Sequence, residues 1–267
     1  MIFQAAKTKS GREATGHDLI SSAEGLLIDW DGCIALGDVP LPGAVRFLQA
    51  NASRVAIISN NSTALPQDFS LILERAGLSL PPERIILAGA ETLRHAAASG
   101  LKQVMVLANS RMKAHARGLG LTLVRERPEA VILMRHTRFS FTDLQRAVDA
   151  VSGGARLIVS NVDNTHPGRN GRIVPETGAL LAALKSCLPQ AAPEIVGKPE
   201  ASLFHRACDV LRISPDRAVM IGDNPDTDIK GAGVLGMGAI LIGPLGDMST
   251  LDVPASVEAP SNVLRSA

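Results

Sequence analysis

GLLIDWDG, residues Gly25–Gly32, is the stretch whose reading decides the fold of this chain. Its apolar run lacks polar alternation, the pattern of a strand buried on both faces, as in parallel sheets covered by helices. The run ends on Asp29-Trp30-Asp31-Gly32. Side chains two apart on an extended segment face the same way, so Asp29 and Asp31 converge while Trp30 turns toward packing. Gly32 then allows the chain to leave the sheet sharply.

Similar runs recur at Val55–Ser59, Val104–Ala108, Ala130–Met134, Leu157–Ser160, Ala218–Gly222 and Ala239–Ile242. Helical periodicity fills the intervals, at Ala44–Leu48, Phe69–Ala76, Leu144–Val151, Gly178–Leu184 and Leu203–Leu211. Right-handed crossovers would wind these elements into an open, doubly wound, Rossmann-like α/β parallel sheet. Ligands of such sheets collect beyond the carboxyl ends of the strands. Those ends carry the Asp29/Asp31 pair, Ser59-Asn60-Asn61, and Gly222-Asp223-Asn224-Pro225-Asp226-Thr227-Asp228. A shorter run, Glu194–Val196, delivers Gly197-Lys198-Pro199. The stretch 82–176 has its own strands and helices and is expected to be an inserted α/β domain. Residues 1–81 and 177–267 then form the core.

Composition narrows the partners. The formal net charge is +1, with both signs mixed along the chain, which gives no basic face for nucleic acid or a membrane surface. No apolar run approaches the roughly 18 residues of a membrane span. The lead-in with Lys7, Lys9 and Arg12 has no apolar h-region and does not read as a signal peptide. The three cysteines, Cys33, Cys187 and Cys208, are expected to be buried thiols in a reducing cytoplasm. With one Trp, six Phe and no Tyr, aliphatic side chains must pack the core, and a pocket His gains weight as a ligand contact.

Carboxylates gathered at adjoining strand ends repel. Two like charges at about 4 Å cost on the order of 4 kcal/mol at an effective dielectric near 20. Without His or Cys at the neighbouring strand ends, Asp29, Asp31, Asp223 and Asp228 specify a hard, oxygen-seeking cation, Mg²⁺ above others. One carboxylate can then act as a nucleophile. Lys198 adds positive charge, and Ser59 with nearby backbone N–H groups adds hydrogen bonds to phosphoryl oxygens. In-line attack with charge neutralisation is what phosphoryl transfer requires.

Four segments taken in order, LLIDWDGCIALGDVPLPGA, ISNNS, GKPEASLF and MIGDNPDTDIKGAGVLGM, resemble the motifs of the haloacid dehalogenase superfamily of phosphohydrolases. The Gly-Asp-x₄-Asp form and the place of the insert resemble the branch with a class IIA cap, which includes nitrophenyl-phosphate, phosphoglycolate and pyridoxal-phosphate phosphatases and the NagD proteins. The resemblance implies that Asp29 attacks phosphorus and that Asp31 serves as acid and then base. It implies Mg²⁺ held by Asp29, the Asp31 backbone carbonyl and Asp223, with Asp228 supporting the metal's water shell and Lys198. Ser59 and Asn60 would bind the phosphoryl group. A second Asp argues against dehalogenation, because dehalogenases of the superfamily lack that acid.

The segment VSNVDNTHPGRNGRIVPETGALLAAL resembles the return from cap to core. It departs from the branch in Asn161-Val162-Asp163, and the usual glycine after the preceding cap strand is replaced by Arg135-His136. His166-Pro167 after Asp163 resembles members acting on vitamin B6 phosphates, so His166 and Asp163 are the candidate cap contacts. Pyridoxal or pyridoxine 5′-phosphate leads the substrates on that ground, ahead of phosphoglycolate, sugar phosphates and nucleoside monophosphates. The branch also implies a homodimer paired through the cap. Asp226 reads as a first-turn helix residue, and His17, His95, His115, His136 and His205 as structural or exposed. A receiver domain would be far shorter. A phosphomutase or a phosphometabolite-binding protein without turnover is the remaining alternative.

Overall fold

The computed structural model describes residues 15–167, 172–243, 248 and 251. The basic lead-in and nearly all of the tail after Asp247 lie outside the described residues. The strands in chain order are β1 (Gly25–Ile28), β2 (Ala35–Leu36), β3 (Val39–Pro40), β4 (Val55–Ser59), β5 (Ile85–Leu87), β6 (Gln103–Leu107) and β7 (Thr122–Leu123). They continue as β8 (Ala130–Leu133), β9 (Arg156–Val159), β10 (Thr165–Pro167), β11 (Ile173–Pro175), β12 (Glu194–Ile195), β13 (Ala218–Gly222) and β14 (Gly238–Leu241).

Two five-stranded parallel sheets result. The first has the order β14-β13-β1-β4-β5 and the second β12-β9-β8-β6-β7. β1 is buried along its whole length, flanked by β13 and β4. The chain winds outward from it in both directions, so the switch point of this doubly wound sheet falls at β1. Asp29, Ser59 and Asp223 thereby come to three adjacent carboxyl ends.

Apolar side chains join the two sheets. Leu27, Ile58 and Met220 of the first share a core with Phe204 and with Val104, Ile132 and Ile158 of the second. The helix Ala201–Leu211 lies across β1, β4 and β5, and the helix Ala88–Ala98 touches both β5 and β9. Leu26, Ile28, Ile57 and Ile221 face the other way, onto Trp30, Phe47 and Phe69. Trp30 is in packing, as its place between the two acids implies. Its ring centroid lies 4.2 Å from that of Phe69, and its indole N–H donates to the Gly37 carbonyl at 3.1 Å. Full burial of each large aliphatic side chain stabilises the fold by about 1.5–3 kcal/mol.

The division of the chain between the sheets corrects the expected borders. β5 lies past the expected border at 82 yet pairs with β4 in the first sheet. Pro81-Pro82 opens a short turn, Pro82–Arg84, that leads back into that sheet, because a proline ends a local element without deciding strand pairing. At the other border, the helix Thr177–Cys187 packs on β8 and β12 pairs with β9, so the second unit reaches past residue 176 to Ile195. Lys198 therefore follows an edge strand of the second sheet, not one of the catalytic strands. Cys33 and Cys208 are buried as expected, but Cys187, at a helix end, is exposed. Among the described residues, no helix is long and apolar enough to cross a membrane.

The two units meet at Gly197. A β-carbon there would lie 2.4 Å from the Ser160 carbonyl oxygen and 2.6 Å from Asn60 Oδ1. Gly197→Ala is expected to cost about 1–3 kcal/mol through overpacking. Calorimetry should then show a Tm lower by about 2–10 °C; melting at the wild-type temperature would contradict this close approach.

Candidate active site

The site is built on a buried ammonium. Lys198 is 2 % exposed, and its Nζ lies 2.5 Å from Asp29 Oδ1 and 2.6 Å from Asp228 Oδ1. Burial disfavours its charge, but Asp228 and Asp29 outweigh that cost and raise its pKa. Asp29 is held by its backbone N–H, which donates to the Ile221 carbonyl of β13 at 2.9 Å. Burial, reinforced by Asp228, Asp223 and Asp31, pushes the Asp29 carboxyl well up, against the pull of Lys198. Burial and Asp228 likewise push Asp223 up to about 6. Asp228 sits fully buried in a widened helical turn, Pro225–Ile229, and also accepts from the Asn224 N–H at 3.1 Å. Asp226 in the same turn is exposed, as expected for a first-turn residue.

Asp223 reaches the centre because residue 32 is glycine. Gly32 has φ +78°, and a β-carbon there would lie 2.2 Å from Asp223 Oδ2. Carboxylate oxygens of Asp29 and Asp223 and the Cys33 sulfur all lie within 4.8 Å of one another. This corrects the expectation that no sulfur stands near the acids. Burial and Asp29 push the Cys33 thiol well up, which favours the neutral thiol over a thiolate. The acids outnumber the single ammonium, and that donor set fits a divalent cation held chiefly by oxygen.

Asp31 differs from Asp29, two residues earlier. Its side chain is open to solvent at the mouth of the site, within a recess dense enough to raise its pKa by desolvation. His166 and Lys198 pull it back, while Asp163 and Asp38 add to the rise. Ser59 is 1 % exposed, and its Oγ accepts from the Asn61 N–H at 3.1 Å, which leaves the hydroxyl hydrogen free to donate.

The Asn60 side chain is not free for a phosphoryl oxygen. It donates to Asp163 Oδ2 at 3.0 Å and to the Lys198 carbonyl at 3.1 Å, and its Oδ1 accepts from the Lys198 N–H at 2.8 Å. The side chain positions the Lys198 segment and ties it to Asp163, which leaves the backbone N–H of Asn60 for the expected phosphoryl contact. Asn161 Nδ2 donates to the Asn60 carbonyl at 2.8 Å, and the Arg135 N–H donates to Ser62 Oγ at 3.1 Å. His166 stands with Nδ1 2.7 Å from Glu176 Oε1 and near enough to Asp31 to affect its charge. Sequence reasoning overlooked Arg135 as a site residue and Glu176 altogether. Their signal was faint: a departure after a cap strand, and an acid just before a helix.

A sequence model described as haloacid dehalogenase-like hydrolase matches residues 26–122, and a related hydrolase model matches residues 195–266. The dihydroxyacetone phosphatase of Corynebacterium glutamicum is 34 % identical over 221 residues, covering 81 % of this chain and 79 % of that protein. The 4-nitrophenylphosphatase of Thermotoga maritima superposes with a TM-score of 0.78 at 25 % identity, over 85 % of this chain and 88 % of that one. The glycerol phosphate phosphatase of Mycobacterium tuberculosis, solved in complex with magnesium, gives 0.75 at 27 % identity, over 84 % and 69 %.

The raised Asp223 sets a pH window for cation binding. Below about 6 the carboxyl holds its proton, whereas in an unfolded chain it would release it near 3.8. This group's contribution to stability therefore falls as pH rises from about 4 to about 6, and a cation that binds the ionised form reverses the loss. At a hundred times its Kd, a divalent cation should add about 2.7 kcal/mol at pH 8, a Tm increase of about 5–10 °C. The increase should be clearly smaller at pH 5; equal shifts at both pH values would contradict metal binding through Asp223.

Proposed function

We infer that this chain, which belongs to the haloacid dehalogenase-like hydrolases and is a phosphoric monoester hydrolase of their class IIA branch, releases phosphate from a small phosphorylated metabolite through an aspartyl-phosphate on Asp29. The observation that carries this reading is the Lys198 ammonium between Asp29 and Asp228, with Asp223 and Ser59 at the strand ends on either side.

Asp29 attacks phosphorus in line with the ester oxygen, forming a new P–O bond as the ester P–O bond breaks. Asp31, whose pKa burial raises, gives a proton to the leaving alkoxide. It then takes a proton from the water that attacks the aspartyl-phosphate, which frees phosphate and regenerates Asp29. Lys198, the Ser59 hydroxyl and the Asn60 backbone N–H face the charge on the phosphoryl oxygens. Mg²⁺ would be held by Asp29, Asp223 and the Asp31 carbonyl, with Asp228 supporting it, and it would supply charge neutralisation for the phosphoryl group. The segment between the strands of the first sheet serves as the cap that chooses the leaving group.

Two substrate classes compete. Short hydroxylated esters come first here, supported by the polar wall around Arg135, Asp163, His166 and Glu176 and by the names of the dihydroxyacetone and glycerol phosphate phosphatases that this chain resembles. Pyridoxal or pyridoxine 5′-phosphate is the second reading, favoured by the place of His166 beside Asp31.

Asp29→Asn should lower phosphate release by at least about a thousandfold, and EDTA should silence the wild type. Full activity in Asp29→Asn would refute the aspartyl-phosphate. On a panel with Mg²⁺, kcat/KM for glycerol and dihydroxyacetone phosphates should exceed that for pyridoxal 5′-phosphate. The reverse order, with His166→Ala raising KM for pyridoxal 5′-phosphate selectively, would establish the second reading.

A further inference from the structure

Beside the mouth of the site, three polar side chains converge without satisfying one another. Glu176 Oε1 lies 3.3 Å from Arg135 Nε and 2.7 Å from His166 Nδ1. Both nitrogens are buried, yet neither is in line for a hydrogen bond to any described residue. Buried polar atoms left unbonded are rare in folded proteins and call for a reason. Here the reason is position. His166 and Asp31 influence each other's charge, and Glu176 is also within the field of Asp31 and Asp163. The trio therefore borders the space a leaving group must enter when its ester oxygen takes the Asp31 proton.

The wall is held in place from behind. Arg135 is anchored through its backbone to Ser62, in the loop that follows Ser59 and carries Asn60. Glu176 precedes the helix Thr177–Cys187, and its N–H donates to the Asn164 carbonyl at 2.9 Å. Side-chain exposures of 25 % for Arg135 and 15 % for Glu176 leave both groups reachable from the cleft but not freely mobile in solvent. The sign of the wall matters as much as its polarity. Above pH 7, where Glu176 is ionised although burial pushes it up to about 7, Asp163 and Glu176 face Arg135, the one fixed cation among these side chains, while burial and the nearby Arg135 disfavour a charge on His166. Hydroxyl and carbonyl oxygens find both donors and acceptors there. A second anion would find more like charge than opposite charge.

We propose that Arg135 and Glu176 form a charge filter for the leaving group: with His166 they hydrogen-bond an uncharged, oxygen-bearing leaving group, and Glu176 rejects esters whose leaving group carries a carboxylate or a second phosphate. The proposal rests on the phosphatase reading above and goes further by assigning specificity to a residue pair. Glu176 holds Arg135 back from capturing an anion, so its charge is the selective element.

The test compares, at pH 8 where Glu176 is ionised, glycerol 3-phosphate and dihydroxyacetone phosphate with 2-phosphoglycolate and 3-phosphoglycerate. Each kcat/KM is divided by that for p-nitrophenyl phosphate in the same variant, so a general loss of activity cancels. Wild type should favour the uncharged class by at least about tenfold, and Glu176→Gln should narrow that ratio by about tenfold, mainly by lowering KM for the carboxylate esters. Arg135→Met should raise KM for the uncharged class, and Arg135→Lys should restore part of the loss. A wild type that prefers the carboxylate esters, or a Glu176→Gln ratio equal to wild type, overturns the filter. Calorimetric binding of glycerol 3-phosphate and 3-phosphoglycerate to Asp29→Asn, with and without Glu176→Gln, reads the same selectivity without turnover. A chain that hydrolyses no ester but shows this shift in binding keeps the filter and loses the phosphatase reading; binding with no shift overturns the filter whatever the activity.

Discussion

The rest of the site depends on one buried ammonium. Lys198 is removed from water on all sides and remains charged only because Asp29 and Asp228 lie within hydrogen-bond reach. Removing either acid leaves the other to compensate the charge; removing both would strand a buried cation, a strongly destabilising change. The arrangement also works in reverse. Once Asp29 and Asp228 are drawn together, and Asp223 joins them at the next strand end, one cation no longer balances the acids. The strand order and Gly32 enforce that imbalance, and the resulting donor set fits a divalent ion. Asp228 is satisfied by Lys198 and the Asn224 N–H, so the charge still unbalanced centres on Asp29 and Asp223, which line the substrate space.

The same short loop that ends β4 holds both halves of the recognition problem. Ser59 faces the buried centre, Asn60 ties the Lys198 segment to Asp163, and Ser62 anchors Arg135. Under the proposed reaction, the groups that would hold the leaving group and the phosphoryl group thus belong to one seam, into which Gly197 fits so closely that a β-carbon would collide. Coupling of this kind lets binding interactions distant from phosphorus help to align it. The Asn60 side chain is a positioning group: its amide makes three hydrogen bonds to two residues, Asp163 and Lys198.

Much of this could be read from the chain. Strands buried on both faces leave a strong apolar signature, so β1, β4, β6, β8, β9 and β13 emerged close to their true places, and winding rules then put Asp29, Ser59 and Asp223 side by side. What escaped lacks a local signature. β12 has two residues, too few to show which sheet it joins, so Lys198 was placed on the wrong sheet. A double proline looked like a border because it interrupts local structure, while β5 pairs across it. Arg135 and Glu176 acquire meaning only in contact, since each alone resembles an ordinary surface charge. Cys33 was visible as a residue, but its approach to Asp29 and Asp223 follows from a turn whose shape no pattern reveals.

Asp29 and Asp31 show how one dipeptide spacing yields two chemistries. Desolvation lifts both carboxyls, so burial alone would make two weak acids and no nucleophile. Only Asp29 touches the ammonium, and only it shares its oxygens' neighbourhood with Asp223. Charge supplied there favours its anionic form, which is the form that can attack. Asp31, on the same side of the chain but at the open mouth, has Lys198 only at a distance and two further acids, Asp163 and Asp38, working against ionisation. A proton on Asp31 is what the leaving alkoxide of the proposed reaction requires. Separation of roles between neighbouring carboxyls through environment is a general route to paired acid and nucleophile function. In this chain the separating element is the direction of a single lysine side chain.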